Sequence, residues 1–156
     1  MFERSRNSLP VADRLAIREL VDRYNDAINH RDWTVLASLF TPDAVWEMAT
    51  PLNLRFEGAP KIAGGIRWSV GRQEVLVQIT SAVVIEGNGP DRAAVRSTMI
   101  EFGRPREGEP GMHSAGTYYD QVSRQDGVWR FAHRVFRVRY TDNLAVPGEV
   151  HENRPS

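Results

Sequence analysis

Apolar residues recur at Val11, Leu15, Ile17, Leu20, Val21, Tyr24 and Ile28, three and four apart, the spacing of one helix face. Asp13, Arg14, Glu19, Asp22, Arg23 and Asp26 take the opposite face. Pro10 suits the first turn and Asn29-His30-Arg31 ends the run. Asp32 then reads as the N-cap of a short second helix, with Trp33, Leu36, Leu39 and Phe40 inward and Thr41-Pro42-Asp43 as its stop. A short strand over 45–48 pairs with one over 54–57. A third helix runs from Pro60 to Val70, weakened by Gly64-Gly65.

The period then changes from 3.6 to 2. Residues 74–86 are rich in β-branched side chains, 87–90 turn, and 93–102 return. A polar loop covers 103–112. The strands 113–124 and 128–140 close a hairpin around Asp126-Gly127, a dipeptide that favours the two-residue turn. Helices first and antiparallel strands afterwards predict an α+β fold. The expected organisation is a flexible N-terminus over 1–9, one domain over 10–142, and a polar C-terminal tail over 143–156.

The 156 residues suit one domain, and 41% apolar content is enough to build its core. Twenty basic residues balance twenty acidic ones. Such a chain has no global field to hold a polyanion, so nucleic acid is not the expected partner. The same neutrality favours self-association, as a homodimer or homotrimer. With no cysteine there is no disulfide, thiolate nucleophile or cysteine metal site. The first ten residues lack an apolar stretch, and no apolar run reaches membrane-spanning length. The expectation is therefore a cytoplasmic protein with no membrane partner. Gly87-Asn88-Gly89 precedes a strand and so is a turn rather than a phosphate loop. No histidine–carboxylate pair has ligand spacing on one element, and no Gly-x-Ser-x-Gly elbow occurs.

Two segments carry a resemblance: 17–46, IRELVDRYNDAINHRDWTVLASLFTPDAVW, and 116–134, GTYYDQVSRQDGVWRFAHR. Together they resemble the SnoaL-like branch of the NTF2-like superfamily, which includes scytalone dehydratase, bile-acid dehydratase and lindane dehydrochlorinase. The resemblance implies a cone: a curved, mostly antiparallel sheet wrapped around about three N-terminal helices, with a pocket at the open end. It also implies chemistry without a cofactor or metal, on a small hydrophobic ring or carbonyl compound. Those relatives carry an aspartate at the end of the first helix and a histidine on the first long strand. Here the matching positions hold Asn29 and Gln78, and an amide does not titrate. Tyr24 matches a tyrosine of the bile-acid dehydratase relatives and can donate to a carbonyl or leaving hydroxyl.

With the aspartate–histidine dyad replaced, His133, a carboxylate or a water is left as the base. The alternation of residues 128–140 does not say whether His133 or Arg134 looks inward. Arg134 matches a position often basic in the family and can pair with Asp43 or Glu47. Trp46, Met48, Phe56, Trp68, Met99 and Tyr118 are candidate pocket walls. Three functions stay open: a lyase, isomerase or cyclase with an atypical site; a non-catalytic ligand-binding or accessory protein; and a small subunit of an enzyme complex.

Overall fold

A computed structural model describes residues 9–107 and 110–152. Of the expected flexible N-terminus, residues 1–8 lie outside the described residues, as do 108–109 of the polar loop and 153–156 of the tail. Leu9 is buried in the core.

Helix α1 spans Val11–Asn29 and α2 spans Trp33–Ser38. The Asp32 carboxylate caps α2 by accepting from the Val35 amide at 3.0 Å. Strand β1, Phe40–Met48, begins five residues before the expected start, and β2 is Leu54–Glu57. Helix α3 spans Ala59–Val70. Four long strands follow: β3 Gln73–Gly87, β4 Arg92–Pro105, β5 Met112–Gln125 and β6 Val128–Asp142. They make one six-stranded sheet in the order β2-β1-β6-β5-β4-β3, antiparallel except for the β1–β6 pair. The chain turns from β5 into β6 at Asp126 and Gly127, both with positive φ, as a two-residue hairpin requires. The fold is α+β, three helices in the N-terminal half packed with a curved open sheet of six strands.

Polar residues of α1 cover the free edge of β3. Arg14 donates to the Ile85 carbonyl and Arg18 to that of Val83, each at 3.2 Å. The Asn29 amide donates to the Gln78 carbonyl at 2.9 Å, and its oxygen accepts from the Gln78 amide at 2.7 Å. An edge strand offers unpaired N–H and C=O groups, and these side chains satisfy them. The apolar stripe of α1 enters the core only from Ile17 onward. Val11 and Leu15 are exposed.

Strict alternation fails at two bulges. The β3–β4 register shifts between Ser81 and Val84, around Ala82 with φ of 52°. Leu76 and Gln78 are therefore buried on the same side as Ile85, while Val84 is exposed. The β5–β6 register shifts between Phe131 and His133. Phe131, Arg134 and Phe136 are buried together, and His133 stays half-exposed on the other face.

Candidate functional site

Tyr24 is the last aromatic of the α1 stripe and reaches the middle of the concave side of the sheet. Its ring meets Phe40, Tyr118 and Phe131 edge-on, with centroids 5.8–6.1 Å apart. Its hydroxyl lies 3.4 Å from that of Tyr118. Burial raises the pKa of both phenols, that of Tyr118 strongly, so both keep their protons as donors.

Tyr24 and Tyr118 form one wall of a cavity of about 330 Å³. Trp46 and Met48 of β1, Trp68 of α3, Met99 of β4 and Phe136 of β6 supply most of the rest. Gln78 and Glu101 add polar groups to the lining. Gln78 and Glu101 are directly cross-strand and both are buried. Gln78 Nε2 donates to Glu101 Oε2 at 2.6 Å. Burial raises the Glu101 pKa, and the Gln78 bond opposes that shift only in part. An apolar chamber thus contains a protonatable carboxyl and a pair of phenols.

Beneath the phenols lies Arg134, fully buried. Its guanidinium carbon sits 4.0, 3.7 and 4.2 Å from the ring centroids of Tyr24, Tyr118 and Phe131. Its ion-pair partner is Asp120, at 3.5 Å and directly cross-strand, in place of the expected Asp43 or Glu47. Burial pushes the Asp120 carboxyl up to about 7 against the pull of Arg134. The arginine charge opposes part of the rise that burial imposes on each phenol.

The residues expected from the sequence separate into three groups. Tyr24, Gln78, Trp46, Met48, Trp68, Met99 and Tyr118 line the cavity. Phe56 backs it, stacked on Trp46 at 5.8 Å, and Arg134 supports it from below. Asn29 and His133 do not line it. Asn29 spends both ends of its amide on the backbone of Gln78. His133 lies in a separate depression on the outer face, with Nε2 3.4 Å from a Glu47 carboxylate oxygen. Glu101 was not among the expected residues. Its signal was present, since it follows the candidate wall residue Met99 by two along one strand and so shares its face.

The role of Asn29 gives a direct test. Asn29→Ala removes both bonds to the part-buried Gln78 backbone and should cost about 1–3 kcal/mol in chemical denaturation. Asn29→Asp should lose stability as well, since a carboxylate cannot donate to the Gln78 carbonyl. An aspartate variant as stable as wild type would rule out the clamp.

The SnoaL-like domain family matches residues 10–135. The chain belongs to this family. It is 28% identical to the gamma-hexachlorocyclohexane dehydrochlorinase of Sphingobium indicum over 138 residues, which is 85% of this chain and 87% of that one. Among solved structures it resembles a scytalone-dehydratase-like protein from Novosphingobium aromaticivorans, with a TM-score of 0.78 and 21% identity over 94% of this chain and 97% of the other. The hexachlorocyclohexane dehydrochlorinase LinA-type3 of Novosphingobium barchaimii matches with a TM-score of 0.77 and 23% identity, over 91% and 97%. The two structural likenesses establish the fold. Among the described residues no helix is long and apolar enough to cross a membrane, and no cluster of three metal-ligating side chains occurs.

Proposed function

We propose that this protein binds a small, apolar, carbonyl-bearing ring compound and moves a proton on it without a cofactor, as a lyase, isomerase or cyclase. The observation that carries the reading is Glu101, a carboxyl buried in an apolar cavity that two phenols also line. The amides Asn29 and Gln78 replace the family's expected dyad, and Glu101 replaces its base. In its ionised form Glu101 takes a proton from a carbon next to the carbonyl. Gln78 holds one carboxylate oxygen and leaves the other for the substrate. Negative charge then develops on the carbonyl oxygen, where Tyr24 or Tyr118 donates an O–H. Returning the proton to another carbon completes an isomerisation, and expelling a β-substituent completes an elimination.

Proton exchange tests this without knowledge of the natural substrate. Cyclic ketones and enones incubated with the protein in D₂O should gain deuterium beside the carbonyl, followed by NMR. Ketones that bind without exchanging would favour the ligand-binding alternative, which the amides at positions 29 and 78 also support.

Assembly into a homo-oligomer forms part of the same proposal. The outer sheet face exposes Ile79, Ile100, Phe102 and Tyr140, with Ile79 paired to Ile100 and that residue flanked through Ala115 by Tyr140. A contiguous apolar patch of this kind suits burial against a second copy. Light scattering should give a dimer or trimer mass, and Ile100→Glu should reduce it to the monomer. A monomeric wild type at micromolar concentration would refute the assembly.

A further inference from the structure

The cavity does not end at Glu101. A second chamber of about 510 Å³ adjoins it and shares Met48, Leu52, Ser69, Glu101 and Met112 as walls. Its character is different: Arg72, Gln73, Thr141 and Asp142 add polar groups. Asp142 and the shared Glu101 are committed. Asp142 accepts from Tyr140, from the Leu144 amide at 3.1 Å and from His113 at 2.7 Å. Glu101 is engaged by Gln78.

Arg72 is not committed. Its guanidinium carbon stands 4.5 Å from the centroid of Trp68, itself a wall of the inner cavity. It has no salt bridge to any described carboxylate. The neighbouring Gln73 side chain is nine-tenths buried in the same chamber, and its oxygen has no hydrogen-bond partner among the described residues. A cation at a helix C-terminus has a favourable interaction with the helix dipole. That interaction explains neither the unpartnered Gln73 amide nor the joined chambers.

We infer that the outer chamber is a subsite for a carboxylate on the ligand, received by Arg72 while the ligand's apolar ring fills the inner cavity. This rests on the inner cavity being a binding site and adds the substrate class: a ring compound bearing an acidic side chain. A planar guanidinium matches a carboxylate with two parallel N–H donors. The cation–π contact with Trp68 holds the guanidinium beside the junction of the two chambers. The unpartnered Gln73 oxygen is an acceptor, so it suits a hydroxyl or N–H elsewhere on the ligand rather than the carboxylate.

The test compares 3-(1-naphthyl)propanoate with its primary amide by isothermal titration calorimetry, on wild type, Arg72→Gln and Arg72→Lys. Wild type should bind the carboxylate about tenfold tighter than the amide. Arg72→Gln should erase that preference and leave amide affinity within about twofold, while Arg72→Lys should keep part of it. A wild type that binds both probes equally, or a preference that survives Arg72→Gln, overturns the subsite and leaves the inner cavity reading intact. If neither probe binds wild type, the subsite and the cavity reading fall together.

Discussion

Arg134→Met is expected to destabilise the protein by about 3–5 kcal/mol at pH 8, the range for removing one member of a buried ion pair. Arg134 and Asp120 are both buried, and they face each other across β6 and β5. No guanidinium nitrogen of Arg134 and no carboxylate oxygen of Asp120 has a hydrogen-bond partner among the described residues. Each charge is therefore balanced by the other and, for Arg134, by three aromatic faces. Taking the arginine away leaves a carboxylate in the core with nothing to offset its desolvation. Much of a typical domain's 5–15 kcal/mol is then gone. The double variant Asp120→Leu/Arg134→Met should recover most of the loss, because two apolar side chains replace the pair without stranding a charge.

The pH dependence follows from the direction of the Asp120 shift. Its carboxyl is raised from 3.8 to about 7 in the folded protein. A raised acid contributes stability that is whole below the unfolded pKa and is lost as pH rises through the folded one. Without Arg134 the carboxyl is pushed higher still and keeps its proton past pH 7, so the deficit of Arg134→Met should be about 1 kcal/mol larger at pH 8 than at pH 5. Urea midpoints at both pH values measure this. Equal midpoints for Arg134→Met and wild type at pH 8 would show that the pair does not hold the core together.

What the sequence made legible was everything governed by local chemistry. The Asp32 cap, the Asp126-Gly127 turn and the paired strand 54–57 depend on a few adjacent residues. Residue parity was legible only up to the first irregularity. A bulge costs one residue and inverts every face beyond it. That is why period-2 alternation alone sets Ile85 on the opposite face from Gln78, and why it leaves the faces of His133 and Arg134 open. The Gln78–Glu101 contact depends on the β3–β4 register, which the 87–90 turn and the Ala82 bulge set together. Parity with Met99 gives the face of Glu101, but the partner it meets there is fixed only by that register. Asn29 shows the reverse case. Its position was read correctly as the end of the first helix, but which way the amide spends its hydrogen bonds is a tertiary fact.

Glu101→Gln is expected to lower the rate of carbon-proton exchange by about 10²–10⁴, the usual contribution of a positioned acid–base group. The substitution keeps the side-chain shape and can keep a bond to Gln78, so ligand affinity should change little. It removes only the group that can take a proton. Wild-type rate should rise with pH through a value above the ordinary carboxylate range, because burial raises the Glu101 pKa. The glutamine variant should lose that rise. Stability should move the other way. A raised carboxyl destabilises the fold as pH climbs through its folded pKa, so Glu101→Gln should melt higher than wild type at pH 8. A residue that packs the cavity wall and does no chemistry would leave the exchange rate and its pH profile unchanged on substitution. Tyr24→Phe separates the donor from the base. It should slow exchange by about 10²–10³ and leave the pH rise in place, since the phenol stabilises charge on oxygen and Glu101 alone titrates. A pH rise that persists in Glu101→Gln would transfer the role of base to another group, and the proposed assignment would fail.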